Sequence, residues 1–214
     1  CSAAMSATSI PSSRGRYRAI VLAGGAARRL SGVPKPAIPV GGGPMIERVL
    51  AAVAPAGDRA IVVGPPDLAT TGAVHTIQEH PPGGGPVAAI GAAFEAFGVD
   101  LADIVTIVGG DLPLLTAAAV RELTATVSHG RVDGAVYVDA SGRRQWLCGA
   151  WRTAAVADRL AEMVGNRGDL SGAALHDLFG PLAVAEVRRA DDPPPWFDCD
   201  TQDDIRRAEE WLSQ

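Results

Sequence analysis

Apolar residues fall along this chain in short, compact runs that alternate with longer stretches of helical spacing. The runs Ala19–Leu22, Ala60–Val63, Val74–Ile77, Ile104–Val108, Ala135–Val138, Trp146–Ala150 and Val184–Val187 are mostly apolar with little polar alternation. That pattern predicts strands buried on both faces. Between them, Met45–Val53, Pro86–Phe97, Ala117–Val127, Thr153–Val164, Leu170–Leu178 and Thr201–Leu212 repeat apolar residues at three- and four-residue intervals and predict helices. Strands separated by helices imply an α/β fold: a Rossmann-like three-layer sandwich with a mostly parallel sheet, in one domain over residues 17–214. Thr116 stands where an N-cap is expected, and the acids of Asp200-Thr201-Gln202-Asp203-Asp204 complement the dipole of the last helix. Residues 1–16, rich in Ser, Ala and Arg, are expected to form a disordered tail.

Composition narrows what such a fold can do. A net charge of −5 gives no basic surface for nucleic acid, so an anion must be met by a local site. No apolar run approaches the roughly 20 residues of a bilayer-spanning helix. Cys1, Cys148 and Cys199 follow no metal-ligand or disulfide spacing, and an odd count fits a reducing, cytoplasmic setting.

Candidate chemistry gathers at the strand ends, where parallel sheets hold ligands. After the first run, Gly24-Gly25 open a small-residue loop followed by Arg28, Arg29 and Lys35. Paired glycines let backbone N–H groups approach an anion, and the basic residues would neutralise phosphate oxygens. Asp111 follows a buried strand, with Gly109-Gly110 before it and Pro113 two residues on. A hard carboxylate there suits Mg²⁺, with a turn cap as the simpler alternative. Gln78-Glu79-His80 and Gly83-Gly84-Gly85-Pro86 form a third strand-end loop, able to hold a base or sugar edge or to serve as a solvated turn. Asp198 and Asp200 precede the last helix, and Asp200 alone reads equally as its N-cap. Arg143, Arg144 and Arg152 flank the Trp146 strand and are solvated charges unless an acidic substrate meets them. Trp146, Trp151 and Trp211 read as core or interface residues, and His75 and His129 as surface or packing residues. There is no Ser-His-Asp arrangement, dinucleotide fingerprint or Walker spacing.

Leu22-Ala23-Gly24-Gly25, then Arg29 and Lys35, resembles the opening motif of nucleotidyltransferases that activate small molecules with an NTP, and most of all the MobA-like molybdenum cofactor guanylyltransferases. The likeness continues through Gly85-Pro86-Val87-Ala88, Gly110-Asp111-Leu112-Pro113 and Asp198-Cys199-Asp200-Thr201. It implies transfer of GMP from GTP to molybdopterin with release of pyrophosphate. Gly24, Gly25, Arg29 and Lys35 would handle the phosphates, with Lys35, Arg29 and Asp111 catalytic. Leu22 and Ala23 would line the base pocket, Glu79 and Gly85 would recognise the base, and Asp111 with Asp200 would hold Mg²⁺. Molybdoenzymes or cofactor-pathway proteins are the partners implied. Two departures bear on the base and the acceptor. Ser31 and Pro34 replace a usual Gly and a usual non-proline, and Asp198-Cys199-Asp200-Thr201-Gln202 replaces the Asn-x-Asn-Thr-Pro common in the guanylyltransferases. Asp-x-Asp-Thr forms occur in related cytidylyltransferases, so a cytidylyltransferase, or a transferase acting on another phosphorylated small molecule, is the alternative enzyme. A degenerate nucleotide-binding module is the non-enzyme alternative.

Overall fold

Apolar strands that hide both faces need a helical layer on each side, and the chain folds that way. The structure, a computed structural model, describes residues 17–24, 34–68, 70, 74–97, 103–190 and 192–214. The expected tail, and Gly25, Arg28, Arg29 and Ser31 of the opening loop, lie outside the described residues.

Strands β1 (Tyr17–Leu22), β4 (Ala60–Val63), β5 (His75–Ile77), β6 (Ile104–Gly109), β7 (Gly134–Val138), β8 (Arg144–Arg152) and β9 (Val184–Val187) form one sheet in the order β5-β4-β1-β6-β8-β7-β9. All neighbours run parallel except β8, which is antiparallel to both β6 and β7. The expected mostly parallel α/β sandwich is therefore what the chain forms. A two-residue hairpin, β2 (Pro39–Val40) with β3 (Gly43–Pro44), stands apart from this sheet. It is too short to give a period, but Gly41 and Gly42 at φ +63° and +87° supply its turn.

Side-chain alternation sorts the core into two slabs. Ala19 and Val21 of β1 face helices α1 (Met45–Val53) and α3 (Ala117–His129), meeting Ile46, Val49, Val120 and Leu123. Ile20 and Leu22 face the other way, toward α2 (Pro86–Phe97), α4 (Thr153–Arg167) and α5 (Leu175–Phe179), meeting Ile90, Val156 and Phe179. Helix α6 (Gln202–Leu212) sets Ile205 and Ala208 against Val40, Met45 and Cys199 in a smaller cluster. No helix among the described residues is long and apolar enough to cross a membrane.

Two expectations are corrected in detail. The helix expected over Leu170–Leu178 forms only at Leu175–Phe179. Asp169 instead accepts from Ser171 N, and Gly172, at φ +68°, donates to the Gly84 carbonyl, spending the first turn on a bend. Arg152 is neither solvated nor aimed at a ligand. Its guanidinium donates to the carbonyls of Val127, Gly130 and Val132 at 3.0, 2.9 and 2.9 Å, closing the C-terminal end of α3. Trp151 is fully buried and stacks on Phe179 at 3.9 Å, as its core reading requires.

Candidate nucleotide and metal site

From β1 the chain steps outward to β4 and β5, then returns to β6 on the other side of β1. That reversal opens a crevice beyond the carboxyl ends of β1 and β6. The loops issuing there are held by extensions of the ladders: Ala23 N donates to Val63 O at 2.7 Å and Gly110 N to Leu22 O at 2.8 Å. Small residues are required where these ends converge. A Cβ on Gly24 would lie 3.1 Å from Gly64 Cα, and one on Gly110 3.3 Å from Ala23 Cα. Each contact is tighter than ordinary van der Waals packing.

A cleft of about 190 Å³ lies over the ends of β1, β4 and β5. Ala23 and Gly24 line it on one side, Gly64, Pro65 and Asp67 after β4 on another, and Gln78, Glu79 and Gly83 after β5 on a third; Pro34, Lys35 and Pro36 close it. Glu79 is 3% exposed, and its Oε1 accepts from Gly83 N at 2.9 Å, fixing the carboxylate at the cleft wall. Gly83 and Gly85 take φ +81° and +92°, a bend into α2 that an L side chain resists.

Lys35 joins this cleft to the acids. It sits at the head of a single 3₁₀ turn, Lys35–Ala37, between two prolines, and its side chain is 6% exposed. Its Nζ donates to Asp111 Oδ2 at 2.6 Å and also to Asp200 Oδ1. The two carboxylates come from segments far apart in the sequence, one at mid-chain and one near its C-terminal end. Asp111 rides the turn after β6, and Cys199 N donates to the Asp111 carbonyl at 3.2 Å, laying the 198–200 segment beside it. Thr201, not Asp200, caps α6. Its hydroxyl accepts from Asp204 N, and Asp204 accepts back from Thr201 N, so the Asp200 carboxylate is left to meet Lys35.

Charge in the cluster is strongly coupled. Burial disfavours the Lys35 ammonium, but Asp111 and then Asp200 outweigh it and hold its pKa above the ordinary value. Asp198 keeps solvent access, yet its pKa is pushed up by partial desolvation and by the Asp200 and Asp111 charges.

Among the residues expected to act together, the structure brings Ala23, Gly24, Lys35 and Glu79 to one cleft and Asp111 and Asp200 to its lysine. Leu22 is 8% exposed and belongs to the core beneath, touching the site through its carbonyl. Gly85 directly precedes α2, and its carbonyl accepts from Ala89 N at 3.0 Å. Gly25 and Arg29 lie outside the described residues. Arg144 pairs with Glu186 at 3.0 Å, away from the cleft lining. Sequence reasoning passed over Gly64, Pro65 and Asp67. Their signal was legible, since Gly-Pro-Pro directly after an apolar run marks a strand end.

A family model described as the MobA-like NTP transferase domain matches residues 19–178. A probable molybdenum cofactor guanylyltransferase of Haloferax mediterranei is 34% identical over 122 residues, covering 54% of this chain and 54% of that protein. The chain thus matches only about half the length of this curated relative. Among solved structures, molybdopterin-guanine dinucleotide biosynthesis protein A from Archaeoglobus fulgidus superposes with a TM-score of 0.69 at 22% identity, over 92% of this chain and 98% of that one. The 2-C-methyl-D-erythritol 4-phosphate cytidylyltransferase of Thermus thermophilus gives 0.66 at 18% identity, over 92% and 100%. These structural likenesses establish the shared fold.

Proposed function

The chain belongs to the MobA-like NTP transferase family, and from that premise we propose that it transfers GMP from GTP to the phosphate of a molybdopterin-type acceptor, releasing pyrophosphate. One observation carries the reading: Lys35 borders the small-residue cleft while its Nζ binds two carboxylates, one from the turn after β6 and one from the segment before α6. A buried cation between a cleft and two acids has little packing value, but it fits a site that handles phosphate and metal together.

The donor set suits a divalent ion. Asp111 Oδ2 and Asp200 Oδ1 already converge on one cation, and both are hard oxygen ligands. No cluster of three or more His, Cys, Asp or Glu side chains suited to a metal occurs among the described residues. One or two carboxylates with substrate phosphates and water completing the shell is the usual pattern for Mg²⁺. Asp111 and Asp200 would hold it, and when bound it would neutralise phosphate charge and orient the triphosphate.

In the reaction, an oxygen of the acceptor phosphate attacks the α-phosphorus. The bond from the α-phosphorus to the oxygen bridging to the β-phosphate breaks, and pyrophosphate leaves with that electron pair. A phosphate monoester is largely ionised at neutral pH, its second pKa being about 6, so no deep general base is needed. Lys35 offsets charge gathering on the leaving pyrophosphate, while the backbone of Ala23 and Gly24 positions the chain of phosphates. The fixed Glu79 carboxylate offers acceptor oxygens to base N–H groups. Guanine presents two neighbouring donors, N1–H and N2–H₂, whereas cytosine presents one amino group. The Asp198-Cys199-Asp200-Thr201 segment favours the second reading, a cytidylyltransferase.

Thermal stabilisation by each of four NTPs with Mg²⁺, followed by pyrophosphate release with a molybdopterin acceptor, separates the readings. GTP at 100-fold over its dissociation constant should add about 2.7 kcal/mol, and pyrophosphate should appear only with acceptor present. Stabilisation by CTP but not GTP would replace the donor. Tight NTP binding without pyrophosphate release from any acceptor would remove the enzyme reading.

A further inference from the structure

We propose that the Lys35 ammonium occupies the divalent-cation position between Asp111 and Asp200 in the nucleotide-free protein, so that metal enters only as nucleotide phosphates draw the lysine away. The inference rests on the functional reading above and concerns the order in which its parts assemble.

Lys35 Nζ lies 2.6 Å from Asp111 Oδ2 and is bonded to Asp200 Oδ1 as well. A metal bound to the same oxygens would sit about 2.0–2.1 Å from each. An ammonium and a dication cannot share that pair of oxygens, because both would occupy the space between them. Occupancy is therefore an exchange. Departure of the lysine leaves the Asp111 and Asp200 carboxylates facing one position, which favours a replacement cation there.

The local backbone suits such an exchange. Lys35 stands between Pro34 and Pro36, and the turn is tied by Ala37 N to Pro34 O at 2.9 Å and Ile38 N to Lys35 O at 3.1 Å. The main chain is fixed, and the motion is left to a flexible four-carbon stem carrying a compact charge. The same residue forms part of the cleft wall beside Gly24, so phosphates seated there are a competing anion for one side chain. Asp200, 69% exposed against 6% for Lys35, is the open side from which a hydrated metal arrives. By linkage, whatever favours the displaced lysine favours metal, and metal in turn favours nucleotide, by the same factor.

The test is a titration of Mn²⁺ alone, without nucleotide, read by loss of the free-ion electron paramagnetic resonance signal. The proteins compared are the wild type, Lys35→Met and Lys35→Gln. Each variant should bind Mn²⁺ about tenfold or more tightly than wild type, within the usual range of coupling between sites. The double variant Lys35→Met/Asp111→Asn should lose that gain. If a variant is unfolded in chelator, refolding on addition of Mn²⁺ supports the exchange, and failure to refold overturns it. Folded variants whose Mn²⁺ affinity equals that of wild type overturn it as well. Thermal shift of the wild type by GTP and by CTP with Mn²⁺ is recorded alongside. Absence of any NTP effect would defeat the functional reading even with the gain in Mn²⁺ affinity intact, whereas NTP binding with no gain in the variants would defeat the exchange alone.

Discussion

Asp111→Asn keeps the shape of the side chain and removes its charge, so it separates what the ion pair does for stability from what it does for turnover. At 2.6 Å and an effective dielectric near 20, the gross attraction to Lys35 is about 6 kcal/mol. Desolvation of an ammonium only 6% exposed cancels much of that. Asp111 is 28% exposed and Asp200 remains as a solvent-screened partner, which lowers the loss further, to about 1–3 kcal/mol. For a chain of this size each kcal/mol moves the melting temperature by about 2–4 °C, giving a fall of about 2–12 °C at neutral pH. Lys35 holds its proton more tightly folded than unfolded. Its contribution is thus complete below the unfolded lysine value and is lost as pH rises through the higher folded value. Thermal melts from neutral pH into the alkaline range should show the two proteins converging at the alkaline end. Turnover, read as pyrophosphate release, should fall about 10²–10³-fold, the usual loss for one transition-state charge contact. Equal melting temperatures at neutral pH would refute the ion pair, and a destabilised variant with full turnover would refute its place in the reaction.

Gly134→Ala should destabilise by about 1–3 kcal/mol or more, because the new Cβ would lie 2.2 Å from Cε3 of the buried Trp151 on the neighbouring strand; a denaturant midpoint equal to that of wild type would contradict the β7–β8 register. Cys148 is fully buried, and burial pushes its thiol up to about 12. The unfolded thiol ionises first as pH rises, so this residue costs stability from the ordinary thiol range upward at about 1.4 kcal/mol per pH unit. Cys148→Ala should flatten the alkaline limb of stability against pH by that slope, and an unchanged limb would show the thiol to be already accessible in the folded protein.

Strands β1, β4 and β6 were legible because they are short apolar runs closed by a nearby glycine, Gly24, Gly64 and Gly109. Tyr17–Leu22 and Ile104–Gly109 are buried at every position, a pattern only a strand covered on both faces produces. Asp111 was readable as chemistry because a carboxylate right after a buried strand has little packing purpose, and Lys35 because it follows the small-residue loop that β1 opens. Their meeting was not readable, because 76 residues separate them and the switch in strand order alone brings them together. Asp200 was ambiguous on composition until Thr201 was seen to take the cap. The direction of β8 was also hidden. Apolar content in Trp146–Ala150 says that the segment is buried, while its orientation follows from the tight turn at 139–143, where Asp139 accepts from the amides of Ser141 and Arg143. Arg152 misled as a charge because its partners are carbonyls, which sequence does not mark.

The backward course of β8 divides the rim of the sheet into two banks. One bank, from β5 to β6, is joined by the crossovers that carry α1 and α2 and holds the cleft. The other rises as a hairpin between β7 and β8 that a handful of residues can lengthen, shorten or recharge without disturbing a parallel ladder. A scaffold laid out this way can keep one grip on a common donor while its far bank is refitted for a different recipient.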